Sequence, residues 1–187
     1  MFSLVFTRRF SMAHRLIADP AGKCAIPHGH NEQVIARLQP VAPQRLDGRS
    51  NMVAPFEQAK ARWHRWIDDQ VDHAFQLGES DPMIDWFRTH EPARLARLLV
   101  TPGDPTTEML AACLMAKLNA FLAADGNDLR CVELTVEETP TNAVTLAGDP
   151  ADVLPARAGA GWWRRADDSI NDLDPAPVAL SLAVARR

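Results

Sequence analysis

An α+β fold, a four-stranded antiparallel sheet with two helices on one face, is what this sequence predicts. Three observations lead to it: apolar alternation of period two near the start, apolar spacing of three and four through the middle, and a return to period two before residue 148. The order is strand, strand, helix, helix, strand, strand.

Phe2, Leu4 and Phe6 alternate with shorter or polar neighbours, so a half-buried strand is expected over residues 2–10. A loop with Pro20 and Gly22 follows. Gln33–Leu38 reads as a second strand that stops at Pro40, and the two should pair as an antiparallel hairpin with a long connection. From Pro55 the period changes: Phe56, Ala59, Trp63, Trp66, Ile67, Gln70 and Val71 recur at helical spacing, with Pro55 suited to the first turn. The next stretch, including Asp85–Phe87 and Leu95–Val100, is less regular and is expected to be loop with room for a short element. A second helix begins near Asp104–Glu108, where Asp or Thr can cap; its stripe is Leu110, Cys113, Leu114, Leu118 and Phe121, and Gly126 ends it. Arg130–Glu137 places Val132, Leu134 and Val136 on one face of a third strand. Asn142–Leu146 is a fourth, joined through the turn-prone Pro140-Thr141-Asn142. Residues 1–148 form the expected domain. Residues 149–187, rich in Ala, Pro, Asp and Arg with Trp162-Trp163 as the bulky anchor, are expected to pack locally or stay mobile.

With 187 residues, 47% apolar and 24% charged, the chain is of ordinary globular composition and large enough for a real core. Its net charge of −4 and lack of a basic block make neither nucleic acid nor an anionic membrane the expected partner. There is no uninterrupted apolar run of membrane length and no signal-peptide pattern at the start, so a cytoplasmic location is expected. Cys24, Cys113 and Cys131 are odd in number and lack disulfide-like spacing, as free thiols in a reducing compartment would.

The chemistry concentrates in Cys24-Ala-Ile-Pro-His28-Gly-His30. In an extended strand, residues two apart share a face, so His28 and His30 can reach one metal ion while Gly29 points away. With His14 supplied from a neighbouring strand, three neutral imidazoles would hold Zn²⁺ and leave a fourth position open, the pattern of catalytic zinc. Three surface histidines and a buried cysteine are the plainer alternative. Val71-Asp72-His73 sets a carboxylate beside an imidazole at the end of the first helix, which suits either proton transfer or a helix-dipole contact. Glu137-Glu138-Thr139 closes the third strand; a carboxylate there can accept the paired N–H groups of an aminopyrimidine edge, or simply flank a turn in water. Thr106-Thr107-Glu108 is first a helix N-terminus, whose free backbone N–H groups can also face a ligand. His64 and His90 have no such setting.

Taken in order, Phe10-Ser-Met-Ala-His14-Arg-Leu, Cys24-Ala-Ile-Pro-His28-Gly-His30-Asn, Val71-Asp72-His73, Pro105-Thr-Thr-Glu108 and Glu137-Glu138-Thr139 resemble the family of 6-pyruvoyl-tetrahydropterin and 6-carboxytetrahydropterin synthases over roughly residues 1–147. The resemblance implies the T-fold (tunnelling fold), with subunits assembled into oligomeric β-barrels, commonly hexamers, and active sites between subunits. It implies His14, His28 and His30 as zinc ligands and Cys24 as general base. Asp72 and His73 are implied as the proton relay from an adjoining subunit. Glu138 is implied as pterin anchor, with Thr106, Thr107 and Glu108 lining its pocket. The implied substrate is 7,8-dihydroneopterin triphosphate, and Arg15 and Lys23 are candidates for its phosphates or ordinary surface charges.

The chain departs from the usual family pattern where Glu32-Gln33 follow His30-Asn31 in place of an aromatic, where Pro55 precedes Phe56, and where Ala74-Phe-Gln-Leu follows His73. The favoured activity is a zinc lyase forming 6-carboxy-5,6,7,8-tetrahydropterin, an early step towards 7-deazapurines such as queuosine. Its alternative is the pyruvoyl-forming synthase. Of the readings from other classes, a catalytically silent pterin-binding oligomer leaves Cys24, Asp72 and His73 without a purpose, and a zinc-buffering protein is disfavoured by only three well-placed ligands and an open coordination position.

Overall fold

The computed structural model describes residues 2–156 and 161–173. Its spine is an antiparallel hairpin of β1 (Leu4–His14) and β2 (His28–Pro40), paired from Leu4 with Leu38 to His14 with His28. Both strands run longer than their apolar alternation, because polar and histidine residues keep the same pleat. Phe6, Phe10, Met12 and His14 of β1 are buried, as are Glu32, Val34, Ala36 and Leu38 of β2. Helix α1 (Phe56–Trp66) follows, and its continuation Ile67–Val71 widens into one π-helical turn. Then come β3 (Phe75–Gly78), α2 (Met83–His90), β4 (Leu98–Thr101), α3 (Thr107–Ala124), β5 (Leu129–Thr139) and β6 (Asn142–Ala147).

The four long strands β1, β2, β5 and β6 are antiparallel neighbours, as expected. The sheet is wider than four strands, with order β4-β3-β1-β2-β5-β6 and β3 and β4 added in parallel. These two strands have only four residues each, and every residue of β4 is buried, so no alternation marks them. Helix α2 likewise occupies the stretch expected to be mainly loop.

A bulge in β5 corrects the expected face of one residue. Arg37 pairs with Glu133 but Leu38 pairs with Cys131, leaving Val132 as the extra residue. Cys131 therefore joins Leu134 and Val136 in the core, and Val132 is only partly buried.

Helix α3 crosses beneath this sheet. It is long and apolar enough for a membrane span, yet ten of its side chains are buried within the fold. Thr106 caps its start by accepting the Met109 N–H at 3.3 Å. Gly126, at φ +64°, reverses the chain at its end.

Trp162 and Trp163 are buried in the main core, with Trp162 stacked 6.1 Å from Trp66. The Trp162 indole donates to the Val100 carbonyl at 2.7 Å, and Val100 N–H donates to Ile170 O at 3.1 Å, so residues 161–173 cover the outer edge of β4. Lys117, fully buried, lies 5.8 Å over the Trp162 ring and donates to the Trp162 carbonyl at 3.0 Å and to Asp167 at 3.3 Å. The rest of the C-terminal segment, 157–160 and 174–187, lies outside the described residues.

Candidate metal centre and active site

The hairpin register builds the histidine cluster. His14 pairs with His28 and Met12 with His30, so all three imidazoles rise from one face of two adjacent strands. Gly29 between them is where β2 closes on β1: a Cβ at that position would stand 3.1 Å from the Met12 carbonyl oxygen. Ring centroids are 4.6 Å apart for His14 and His28, 5.2 Å for His14 and His30, and 5.0 Å for His28 and His30.

The backbone orients two of the rings. His14 Nδ1 lies 3.1 Å from Pro105 O and His28 Nδ1 lies 2.8 Å from Ile26 O. A carbonyl only accepts, so each Nδ1 carries the proton and each Nε2 presents a lone pair. Those two Nε2 atoms face each other at 3.1 Å. Two nitrogens about 2.05 Å from a tetrahedral zinc would stand about 3.4 Å apart. One ligand atom from each of the three histidines lies within 4.8 Å of the others. The donor set therefore fits a divalent cation. Burial is the main influence pulling His14 below the ordinary imidazole pKa, with His28 and His30 acting in the same direction against Pro105 O and Glu138. Its neutral form is the ligating one.

The segment after His14 is clamped in place. Leu16 N–H donates to Cys24 O at 2.8 Å, and Ile17 and Ala18 N–H donate to the Asp104 carboxylate at 3.0 and 2.9 Å. Cys24 thus sits on an exposed 3-10 turn, Lys23–Ala25, tied to the chain two residues beyond a metal-ligand candidate. Arg15 is engaged by both carboxylate oxygens of the buried Asp81, with Nε to Oδ2 at 2.7 Å, so it does not stand free for a phosphate.

On the same face as the triad lie two further carboxyl groups. Glu138 accepts a 2.7 Å hydrogen bond from the Thr107 hydroxyl at the start of α3. Glu32, next to the last β2–β5 pair, Gln33 with Glu137, lies close enough to Glu138 to feel its charge. Glu32 is 4% exposed, and its Oε2 has no hydrogen-bond partner. Burial, and then the Glu138 charge, push its pKa up to about 8. Thr106, by contrast, is engaged as the α3 cap, and with Glu108 it lines a recess against Val144 and Leu146 of β6.

Asp72 and His73 lie at the edge of β1. Asp72 Oδ1 accepts the Ser11 N–H at 2.7 Å, Oδ2 is 2.8 Å from His73 Nδ1, and His73 N–H donates to Ser11 O at 2.7 Å. The π-helical turn delivers the pair, and His73 is held at φ +62°, an unusual conformation outside glycine. Burial alone would raise Asp72, but the Ser11 N–H, His73 and Arg97 outweigh it and keep the carboxyl below its ordinary range. His73 is exposed and shares a recess with Ser11, Gly29, His30 and Asn31.

The sequence matches the family model for 6-pyruvoyl tetrahydropterin synthase over residues 3–149. The chain belongs to that family. A curated relative, the probable 6-carboxy-5,6,7,8-tetrahydropterin synthase of Halobacterium salinarum, is 32% identical over 132 residues, covering 71% of this chain and 77% of the relative. Among solved structures, an uncharacterised protein of Wolinella succinogenes superposes with TM-score 0.61 at 20% identity, covering 79% of this chain and 98% of the other. The 6-pyruvoyl tetrahydropterin synthase of Caenorhabditis elegans gives 0.55 at 24%, covering 79% and 96%. These two likenesses concern the fold, which is the T-fold.

Within this synthase-family chain, the structure brings His14, His28 and His30 together and sets Glu138 with Thr107 on the same face. Asp72 and His73 meet each other at a strand edge instead of joining that cluster's hydrogen bonds. Glu32 carries no role predicted from the sequence. The available signal was its position two residues after His30, which puts it on the same face of β2.

Proposed function

We propose that this chain is a zinc-dependent lyase that converts 7,8-dihydroneopterin triphosphate to 6-carboxy-5,6,7,8-tetrahydropterin, in the cytoplasm, as a homo-oligomer. The observation that carries the reading is the convergence of His14, His28 and His30, the first two with Nδ1 held by a backbone carbonyl. Family membership supports a pterin synthase, and the name of the 32% identical relative favours the carboxy-forming branch.

When bound, zinc supplies Lewis acidity that favours ionisation of a side-chain hydroxyl. The protein's own groups do the remaining work. Glu138, oriented by the Thr107 hydroxyl, accepts the paired N–H donors of the pterin's aminopyrimidine edge. Cys24, exposed at the mouth of the hairpin connection, takes protons from the substrate side chain. The exposed His73, with Nδ1 held by Asp72, presents Nε2 for proton exchange. In the proposed assembly the pair serves the site of a neighbouring copy, as the family resemblance implies. Three free thiols among the described residues are compatible with a reducing compartment.

The pyruvoyl-forming synthase is the second reading, favoured by the description of the matching family. Incubation with 7,8-dihydroneopterin triphosphate, followed by mass spectrometry with and without a chelator, separates the two. The carboxy product, lost on chelation, is the expected result; the pyruvoyl product transfers the assignment to the second reading, and no turnover of the pterin removes both.

A further inference from the structure

Glu32 is a carboxyl group with no evident use in the fold. It occupies a pleat position between the buried Phe10 on β1 and the neighbouring Val34, where an apolar side chain would pack without desolvation cost. A buried polar atom without a partner destabilises the fold, and Oε2 is such an atom.

Its position points to a ligand. Glu32 lies two residues along β2 from His30, about 6.8 Å, and the charge of Glu138 on β5 acts on both Glu32 and His14. A molecule reaching from Glu138 to the histidine triad therefore passes Glu32. We propose that Glu32 Oε2 accepts a ring N–H of the reduced pyrazine half of the pterin, making this residue a determinant of specificity for reduced over oxidised pterins. The inference rests on the pterin reading above. A 7,8-dihydropterin carries an N–H on that ring, whereas the fully aromatic pterin has only bare ring nitrogens there. A carboxyl group keeps an acceptor oxygen whether protonated or ionised, so the contact does not depend on its charge state. An aromatic pterin would set a nitrogen lone pair against that oxygen and leave it unpaired, the arrangement by which a polar site rejects an analogue lacking one hydrogen.

The test measures binding of 7,8-dihydroneopterin and of oxidised neopterin, neither with triphosphate, to the zinc-loaded protein. The unsubstituted protein is expected to prefer the dihydro form by tenfold or more. Glu32→Leu should bring the ratio of the two dissociation constants near one, at unchanged zinc content. Glu32→Gln keeps an acceptor oxygen and should retain most of the preference. Equal affinity of the unsubstituted protein for both probes overturns the proposal without touching the pterin reading, and needs no variant to fold. An undiminished ratio in Glu32→Leu overturns it equally. Failure of the unsubstituted protein to bind either pterin ends both this inference and the reading on which it rests.

Discussion

His14 and His28 face each other Nε2 to Nε2 at 3.1 Å, while Pro105 O and Ile26 O engage the opposite nitrogen of each ring. Two lone pairs directed at one another are electrostatically unfavourable in isolation and become favourable around a cation. The hairpin register enforces the encounter, since the two residues are cross-strand partners.

Removing one ring should therefore cost metal and leave the sheet intact. His28→Ala is expected to weaken zinc binding at least about 100-fold, beyond the 10- to 100-fold typical of losing a group that only orients a ligand. Zinc content after dialysis against a weak chelator, with circular dichroism as the control for folding, checks this. Full retention of zinc would mean that the ion sits elsewhere.

Cys24 is exposed and outside the metal-ligand cluster, so its loss should separate chemistry from binding. Cys24→Ala is expected to keep zinc and pterin affinity while kcat falls about 10²- to 10⁴-fold, the usual contribution of a positioned base. Unchanged turnover would withdraw its role as base.

The Thr107 hydroxyl holds Glu138 Oε1 at 2.7 Å. Thr107→Val should release that carboxylate and raise KM by about tenfold, as loss of a hydrogen bond to a charged group does. Glu138→Gln should act more strongly, because an amide cannot accept two N–H donors side by side. Steady-state kinetics on both variants would reveal the order.

Lys117 gives a stability prediction with a definite sign. Burial, countered in part by Asp167, brings its ammonium from 10.5 down to about 8. Between those pH values the unfolded chain binds the extra proton, so this residue's contribution to stability rises with pH from about 8 to 10.5. The buried thiols Cys113 and Cys131 are pushed up by burial and act in the opposite direction. A comparison with Lys117→Met cancels them. The stability of the unsubstituted protein relative to Lys117→Met should gain roughly 1–3 kcal/mol over that window. A flat difference between the two denaturation curves would show that the lysine does not titrate as its burial implies.

The parts of the fold legible in the sequence were those with a period. Phe2 to Phe6, the Trp63–Trp66 face and the Leu110–Phe121 stripe each announce an element by spacing. Leu98–Thr101 is buried on both faces and four residues long, so it offers neither alternation nor length, and only its parallel partner β3 makes it a strand. The β5 bulge was equally hidden, because the extra residue Val132 is itself apolar and the run reads as uninterrupted. At the site, the three histidines were legible because His-x-His on a strand has one geometry. Glu32 was not, since what sets it apart is burial close to the Glu138 charge, a tertiary relation that no local pattern carries.

The central claim is that three imidazoles hold one zinc ion on which turnover depends. Metal-stripped protein titrated with Zn²⁺ while product formation is followed tests it most directly. Activity should return linearly and level off at one equivalent per chain, and protein lacking His28 should show no such break. Turnover that is indifferent to added zinc, or an identical break in the His28 variant, would contradict it.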